Sequence, residues 1–167
     1  MMNLPKRKPT RLREYDYSTP GAFFITICVK DRKQLLSKII VGDGVLDVPQ
    51  NMLTKYGKIA EKCIRQLDDF FDNIQVDKYV IMPNHIHFIL SIQNVKNGTS
   101  GTPSPTNSII SKFISTFKRF CDREYGKNIW QRSFHDHIIR DKYDYEKIWE
   151  YIDTNAIKWE NDCFYNE

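Results

Sequence analysis

The four histidines of this chain fall in two His-x-His pairs, His85/His87 and His135/His137. In a strand, residues two apart point to the same side. His85 and His87 therefore share one face of their strand, and Ile86, Phe88 and Leu90 share the other. Burying the apolar face presents both imidazoles on the opposite surface, within reach of one metal ion, and imidazole is a common ligand for divalent metals. Two ligands underdetermine a site. Two surface histidines on a half-buried strand would look the same, so the pair alone leaves both readings open. For His135 and His137 the favoured reading is structural, at a strand edge.

A second constellation lies towards the end of the chain. Helical spacing puts Tyr145, Ile148, Trp149, Ile152 and Ala156 in one apolar stripe. Tyr151 and Asn155, four residues apart, fall on a different face, bracketed by Lys147 and Lys158. A core role accounts for Tyr145 better than for Tyr151. A phenol beside a carboxamide and two lysines suits attack on a phosphate: the tyrosine oxygen is the nucleophile, a metal polarises the phosphoryl oxygens, and the lysines offset charge. Exposed tyrosines with lysine neighbours are also common, so the chemistry by itself does not decide.

The elements that must position these groups follow from apolar periodicity. Residues 22–29 are β-branched and aromatic and predict a buried central strand. Residues 39–48 predict a hairpin around Gly42-Asp43-Gly44. Over 52–71, Tyr56, Ile59, Ala60, Cys63, Ile64 and Leu67 recur at helical spacing. Strands are expected over 74–82 and 85–92, and a Gly/Ser/Thr/Pro-rich loop over 94–107. A second helix is expected over 108–123, burying Ile110, Phe113, Ile114, Phe117 and Cys121 and leaving Lys112, Lys118, Arg119 and Arg123 elsewhere on its surface. An extended segment over 133–140 leads to a last helix that Asp141 should cap. This order predicts an α+β sandwich, an antiparallel sheet carrying helices on one face, with no internal repeat or second domain.

Composition sets looser bounds. Lysine and arginine number 25 against 21 acidic residues, a net charge of +4, which is compatible with nucleic-acid binding and does not require it. The charge is concentrated in Lys6, Arg7, Lys8, Arg11 and Arg13, an arm over 1–14 that suits either phosphate contact or a solvated tail. No apolar stretch approaches the ~20 residues that span a bilayer. The start lacks the apolar segment of a secretory signal, so a cytoplasmic protein without membrane contact is expected. Cys28, Cys63, Cys121 and Cys163 form no close pair and read as small core residues in a reducing compartment.

Residues 79–90, YVIMPNHIHFIL, resemble the HUH motif (His, bulky apolar, His) of single-tyrosine transposases, in the branch of the REP-associated tyrosine transposases. EYDYSTPGAFFITICVKDRK, SIISKFISTFKR and WQRSFHDHIIRDKYDYEKIWEYIDTNAIK resemble that family's opening strand, its helix after the HUH strand and its tyrosine-bearing segment, in the family's order over most of 14–158. The resemblance implies a ferredoxin-like fold and one domain over 15–160, followed by a short tail over 161–167. It implies Tyr151 as nucleophile, with His85, His87 and Asn155 as ligands of Mg²⁺ or Mn²⁺. Single-stranded or hairpin DNA would be the substrate, nicked and rejoined through a 5′-phosphotyrosine link, with Lys158, Lys147, Lys118 and Arg119 as expected phosphate contacts. A homodimer that exchanges the tyrosine helix is one arrangement the family allows. Ala156 stands where the family has proline, so the helix is free to run on and shift Asn155 or Lys158. A C-terminal DNA-reading extension is expected to be absent. Histidine-triad hydrolases are a poor match, since Ile89 occupies the place of a third histidine. The competing reading is a non-catalytic module that binds single strands through cations and aromatics.

Overall fold

The computed structural model describes residues 19–41, 48–93 and 108–165. The basic arm, the Gly42–Gly44 turn and the loop expected over 94–107 lie outside these residues. Four strands form the main sheet: β1 (Gly21–Cys28), β4 (Ile74–Ile81), β5 (His85–Ile92) and β6 (His135–Ile139). They run antiparallel in the order β4-β5-β1-β6. With α1 (Lys55–Phe70) between β1 and β4, and α2 (Ile109–Tyr125) between β5 and β6, the chain traces the β-α-β-β-α-β course of a ferredoxin-like sandwich. A separate ribbon, β2 (Ser37–Ile40) paired with β3 (Gln50–Leu53), is inserted before α1.

The core lies between the sheet and α1 and α2. Phe23, Ile25 and Ile27 of β1 and Ile86, Phe88 and Leu90 of β5 are fully buried there, against Ile64 and Leu67 of α1 and Phe113 and Phe117 of α2. The Phe88 ring meets both helix phenylalanines edge-on, the preferred aromatic geometry. Because side chains alternate along a strand, the partners of these residues face the other side. That second face carries α3 (Lys142–Thr154). Two helices thus cover one face as expected, and the third crosses the opposite one.

Boundaries differ from the periodicity in instructive places. Met52 and Leu53 belong to β3, because Thr54 starts α1 two residues later than expected: its hydroxyl oxygen accepts from the Tyr56 and Gly57 amides. The same hydroxyl donates to Leu35 O at 2.6 Å, tying the helix start to the chain that leaves β1. Gly57 permits this approach, since a Cβ there would sit 2.1 Å from Leu36 O. The ribbon is displaced outward from the expected hairpin, beginning at Ser37 and ending at Leu53. α2 is capped by the Ser108 hydroxyl and stopped by Gly126 at φ +67°, a left-handed position that glycine adopts without steric cost. Cys28, Cys63 and Cys121 are buried free thiols, whereas Cys163 is exposed and is no core residue.

Candidate active site

The site begins with the sheet register. Thr26 lies directly opposite His87 on one side and His135 on the other, and Cys28 lies opposite His85. Directly paired residues project to the same face, so both histidine pairs stand on the α3 side of the sheet. His85 and His87 are 0% and 1% exposed, and their Nε2 atoms are 2.9 Å apart. Asn84 gives its amide N–H to Phe164 O at 2.7 Å, so its Oδ1 accepts from His85 Nδ1 at 2.8 Å. That hydrogen bond holds the His85 proton on Nδ1 and turns the Nε2 lone pair towards His87. The Thr26 hydroxyl, 2.8 Å from His87 Nδ1, can donate or accept. His87 can therefore carry its proton on Nε2, bridging to His85, or on Nδ1, leaving both Nε2 lone pairs aimed at one point. The second arrangement is what a divalent cation requires of two imidazoles and their outer partners. Burial pushes His85 down to about 4, and burial followed by the His85 charge holds His87 well below its ordinary value. Both are neutral at pH 7, the state in which imidazole binds metal.

From the opposite side α3 brings Tyr151 and Asn155. Asp141 caps this helix through the Asp144 amide, and both its ends are anchored on β4, where Tyr145 donates to Asp77 at 3.0 Å and Lys78 pairs with Asp153 at 2.6 Å. The Tyr151 hydroxyl lies 3.3 Å from His87 Nε2 of its own chain and donates to Asp162 Oδ2 at 2.9 Å. Asn155, 1% exposed, donates to the same carboxylate oxygen at 3.1 Å, while its Oδ1 is buried without a hydrogen-bond partner among the described residues. The ligand atoms of His85, His87 and Asp162 lie within 4.8 Å of one another. An orphaned buried acceptor beside two convergent imidazoles and a carboxylate is a donor set that fits a hard or borderline divalent cation. Burial, then the charge of Asp162, raises the Tyr151 phenol above its ordinary value, so it is protonated at neutral pH.

Residues after α3 close over this pocket. Asp162 Oδ1 accepts from the Phe164 amide at 2.7 Å, a local turn that lays the Phe164 ring 4.6 Å from His85. Arg32 holds the same turn through Cys163 O at 3.0 Å. Trp159, 6% exposed, packs below His85 at 6.0 Å between ring centres.

No family model matches the chain. It is 33% identical to an uncharacterized protein of Haemophilus influenzae, over 95% of this chain and 93% of that protein. It is 24% identical to the REP-associated tyrosine transposase of Escherichia coli K12, over 85% of this chain and 70% of the relative. The solved structure of a REP-associated tyrosine transposase bound to a REP hairpin superposes with a TM-score of 0.61, covering 89% of this chain and 73% of that one, at 24% identity. The chain thus resembles the REP-associated tyrosine transposases in sequence and shares the fold of one of them.

Of the site residues expected for that family, the structure brings His85, His87, Tyr151 and Asn155 together in one chain. The expected cations lie apart from them. Lys147 rests over the Tyr143 ring at 4.3 Å on the exposed side of α3, and Lys158 is exposed in the turn that follows. Lys118 and Arg119 sit on α2, across the sheet. Ala156 does not prolong the helix: α3 ends at Thr154, Asn155 keeps helical geometry at φ −60° and ψ −42°, and Trp159–Asn161 form a separate short turn. The face of α3 that meets the sheet centres on Tyr151, Ile152 and Asn155, while Trp149 of the expected stripe is exposed and stacks under Lys78. His137 pairs with Asp144 at 2.8 Å, and His135 is exposed. Sequence reasoning missed Thr26, Asn84 and Asp162. Thr26 and Asn84 needed the register. For Asp162 a signal existed: Trp159, Phe164 and Tyr165 are too apolar for a free tail.

Proposed function

We propose that this protein is a metal-dependent transposase that nicks and rejoins single-stranded DNA through Tyr151, in the cytoplasm, with hairpin-bearing strands among its substrates. The observation that carries this reading is the meeting of the Tyr151 hydroxyl, the His85/His87 nitrogens and the unpaired Asn155 oxygen in one buried pocket. His85, His87 and Asn155 would hold Mg²⁺ or Mn²⁺, and Asp162 stands ready as a further oxygen ligand. The chemistry that such an ion would supply there is polarisation of the phosphoryl oxygens and neutralisation of the charge that builds on them.

The rest falls to the chain's own groups. The Tyr151 oxygen attacks phosphorus and forms the new P–O bond, and the bond from phosphorus to the 3′ oxygen breaks. The phenol proton passes to the Asp162 carboxylate that already accepts it, and water gives the departing oxygen the proton of the 3′-hydroxyl and recovers one from Asp162. Attack of a 3′-hydroxyl on the phosphotyrosine reverses the step and joins strands. Because both imidazoles are buried under Phe164, a phosphate reaches them only when that ring swings away. One chain supplies the whole constellation, so the proposal needs no exchanged helix.

The test is an incubation of the protein with Mn²⁺ and labelled single-stranded DNA, followed by a denaturing gel. An adduct abolished by Tyr151→Phe and by chelator is expected. DNA that is bound but never linked, whatever the metal, would replace this reading with the non-catalytic binding module.

A further inference from the structure

The cations that lie away from the histidines have a place of their own. On the α2 side of the sheet a cleft of about 670 Å³ opens between α2 and the segment 128–134. Lys112, Lys118 and Arg119 line it from the helix and Arg132 lines it from the segment. Lys112, Arg119 and Arg132 are exposed and make no ion pair among the described residues, whereas Lys62, Arg65, Lys78 and Lys142 elsewhere are each paired with a carboxylate. The fourth cation is built in. Lys118 donates to Gln131 O at 2.7 Å and Ser133 O at 3.0 Å, and burial brings its ammonium down to about 8. One carboxylate, Asp122, lies among them and accepts from the Ile129 amide at 3.3 Å. Four cations against one anion in a concave wall repel one another, an arrangement that a polyanion relieves.

The register connects this cleft to the active site. Arg132 lies three residues before His135, the first residue of β6. His135 stands directly opposite Thr26, whose hydroxyl bonds His87, so only the width of two strand spacings, about 10 Å, separates it from the HUH strand. His135 is exposed and lies 6.4 Å from Phe164, the ring that covers the pocket. The start of the edge strand β6 is therefore a ledge between the cleft on one face and the histidines on the other.

We propose that the cleft holds the backbone of the single strand flanking the phosphate that Tyr151 attacks, the strand passing over His135 to reach the pocket. This rests on the nicking reading for the identity of the ligand, but its test does not depend on any nick being made. Anisotropy of a labelled oligothymidylate is followed between about 50 and 200 mM salt, without metal, in the Tyr151→Phe protein with and without the added changes Lys112→Gln, Arg119→Gln and Arg132→Gln. Each single-strand phosphate contact contributes about 0.7 to the slope of log affinity against log salt, so removing three flattens it by about 2. The control, Lys62→Gln, Arg65→Gln and Lys142→Gln, removes the same charge from ion-paired positions and is expected to keep the slope. An unchanged slope in the cleft variant, an equal loss in the control, or a loss seen with duplex but not with single strand would each overturn the proposal. Failure to find a covalent adduct with active protein would count against the nicking reading and leave this result standing.

Discussion

The two faces of the sheet are made of the same strands and obey opposite rules. On the α1/α2 side the central strands β1 and β5 present apolar, packed residues, and the rings of Phe88, Phe113 and Phe117 interlock. On the α3 side the buried polar groups are Thr26, Asn84, His85, His87 and Asn155, with one acceptor unpaired and two imidazoles held below their ordinary basicity. The first face gains free energy from burial. The second gives some back, because buried polar groups cost unless fully bonded. The contrast teaches where fold and function can be separated: a change on the first face should cost stability, and one on the second should cost chemistry.

The sharpest break is between Phe117→Ala and Tyr151→Phe. The former should lose about 3–5 kcal/mol of unfolding free energy in a urea titration, as for large aromatic truncations in a packed core. Tyr151→Phe should abolish the adduct while shifting the urea midpoint little. A midpoint as low as that of the core variant would show that the α3 face is structural after all. Next in size is Gly57→Ala, which drives a Cβ into the Leu36 carbonyl. Since backbone must move, a loss of about 1–3 kcal/mol is expected, with DNA linkage intact in whatever remains folded.

A smaller effect concerns protons. His85 stays neutral in the fold down to about 4 but takes up its proton near 6.5 when unfolded. The unfolded chain thus binds more protons between those values, and metal-free protein loses stability as pH falls through that window. Thermal melts from pH 7 to 4 should show this decline, and His85→Gln should flatten it. The smallest expected change in stability comes from Phe164→Ala, which uncovers the histidines. Its unfolding free energy should fall by about 1 kcal/mol or less for one partly exposed ring, while the rate of adduct formation rises several-fold. A slower rate would show that the ring helps bind DNA rather than shielding the site.

The strands and helices were legible wherever one face is apolar. Period-two alternation around His85 and His87 and the 3.6-residue spacing in α1 and α2 located those elements to within a few residues. The last helix was legible as a helix but not in its orientation. Its apolar stripe pointed to Trp149 as a buried anchor, whereas the sheet it docks on is polar at that point and takes Tyr151 and Asn155 instead. Amphipathicity predicts burial only against an apolar partner, and here the partner is a site.

By itself the sequence determined the chemistry on offer: two imidazoles forced to one side of a strand, and a phenol and an amide one helical turn apart. Those relations are local, set by backbone geometry over two to four residues. Only the tertiary structure decided what they meet. That Thr26 meets His87 Nδ1, that Asn84 sets the proton of His85, and that Asp162 receives the Tyr151 hydroxyl depend on contacts between residues 61, 1 and 11 positions apart. The longest and shortest of these separations carry no periodic signal, and the third crosses a turn after α3. Pairing register and the fold of the last segment place these groups within hydrogen-bond reach, and neither is written in any local spacing.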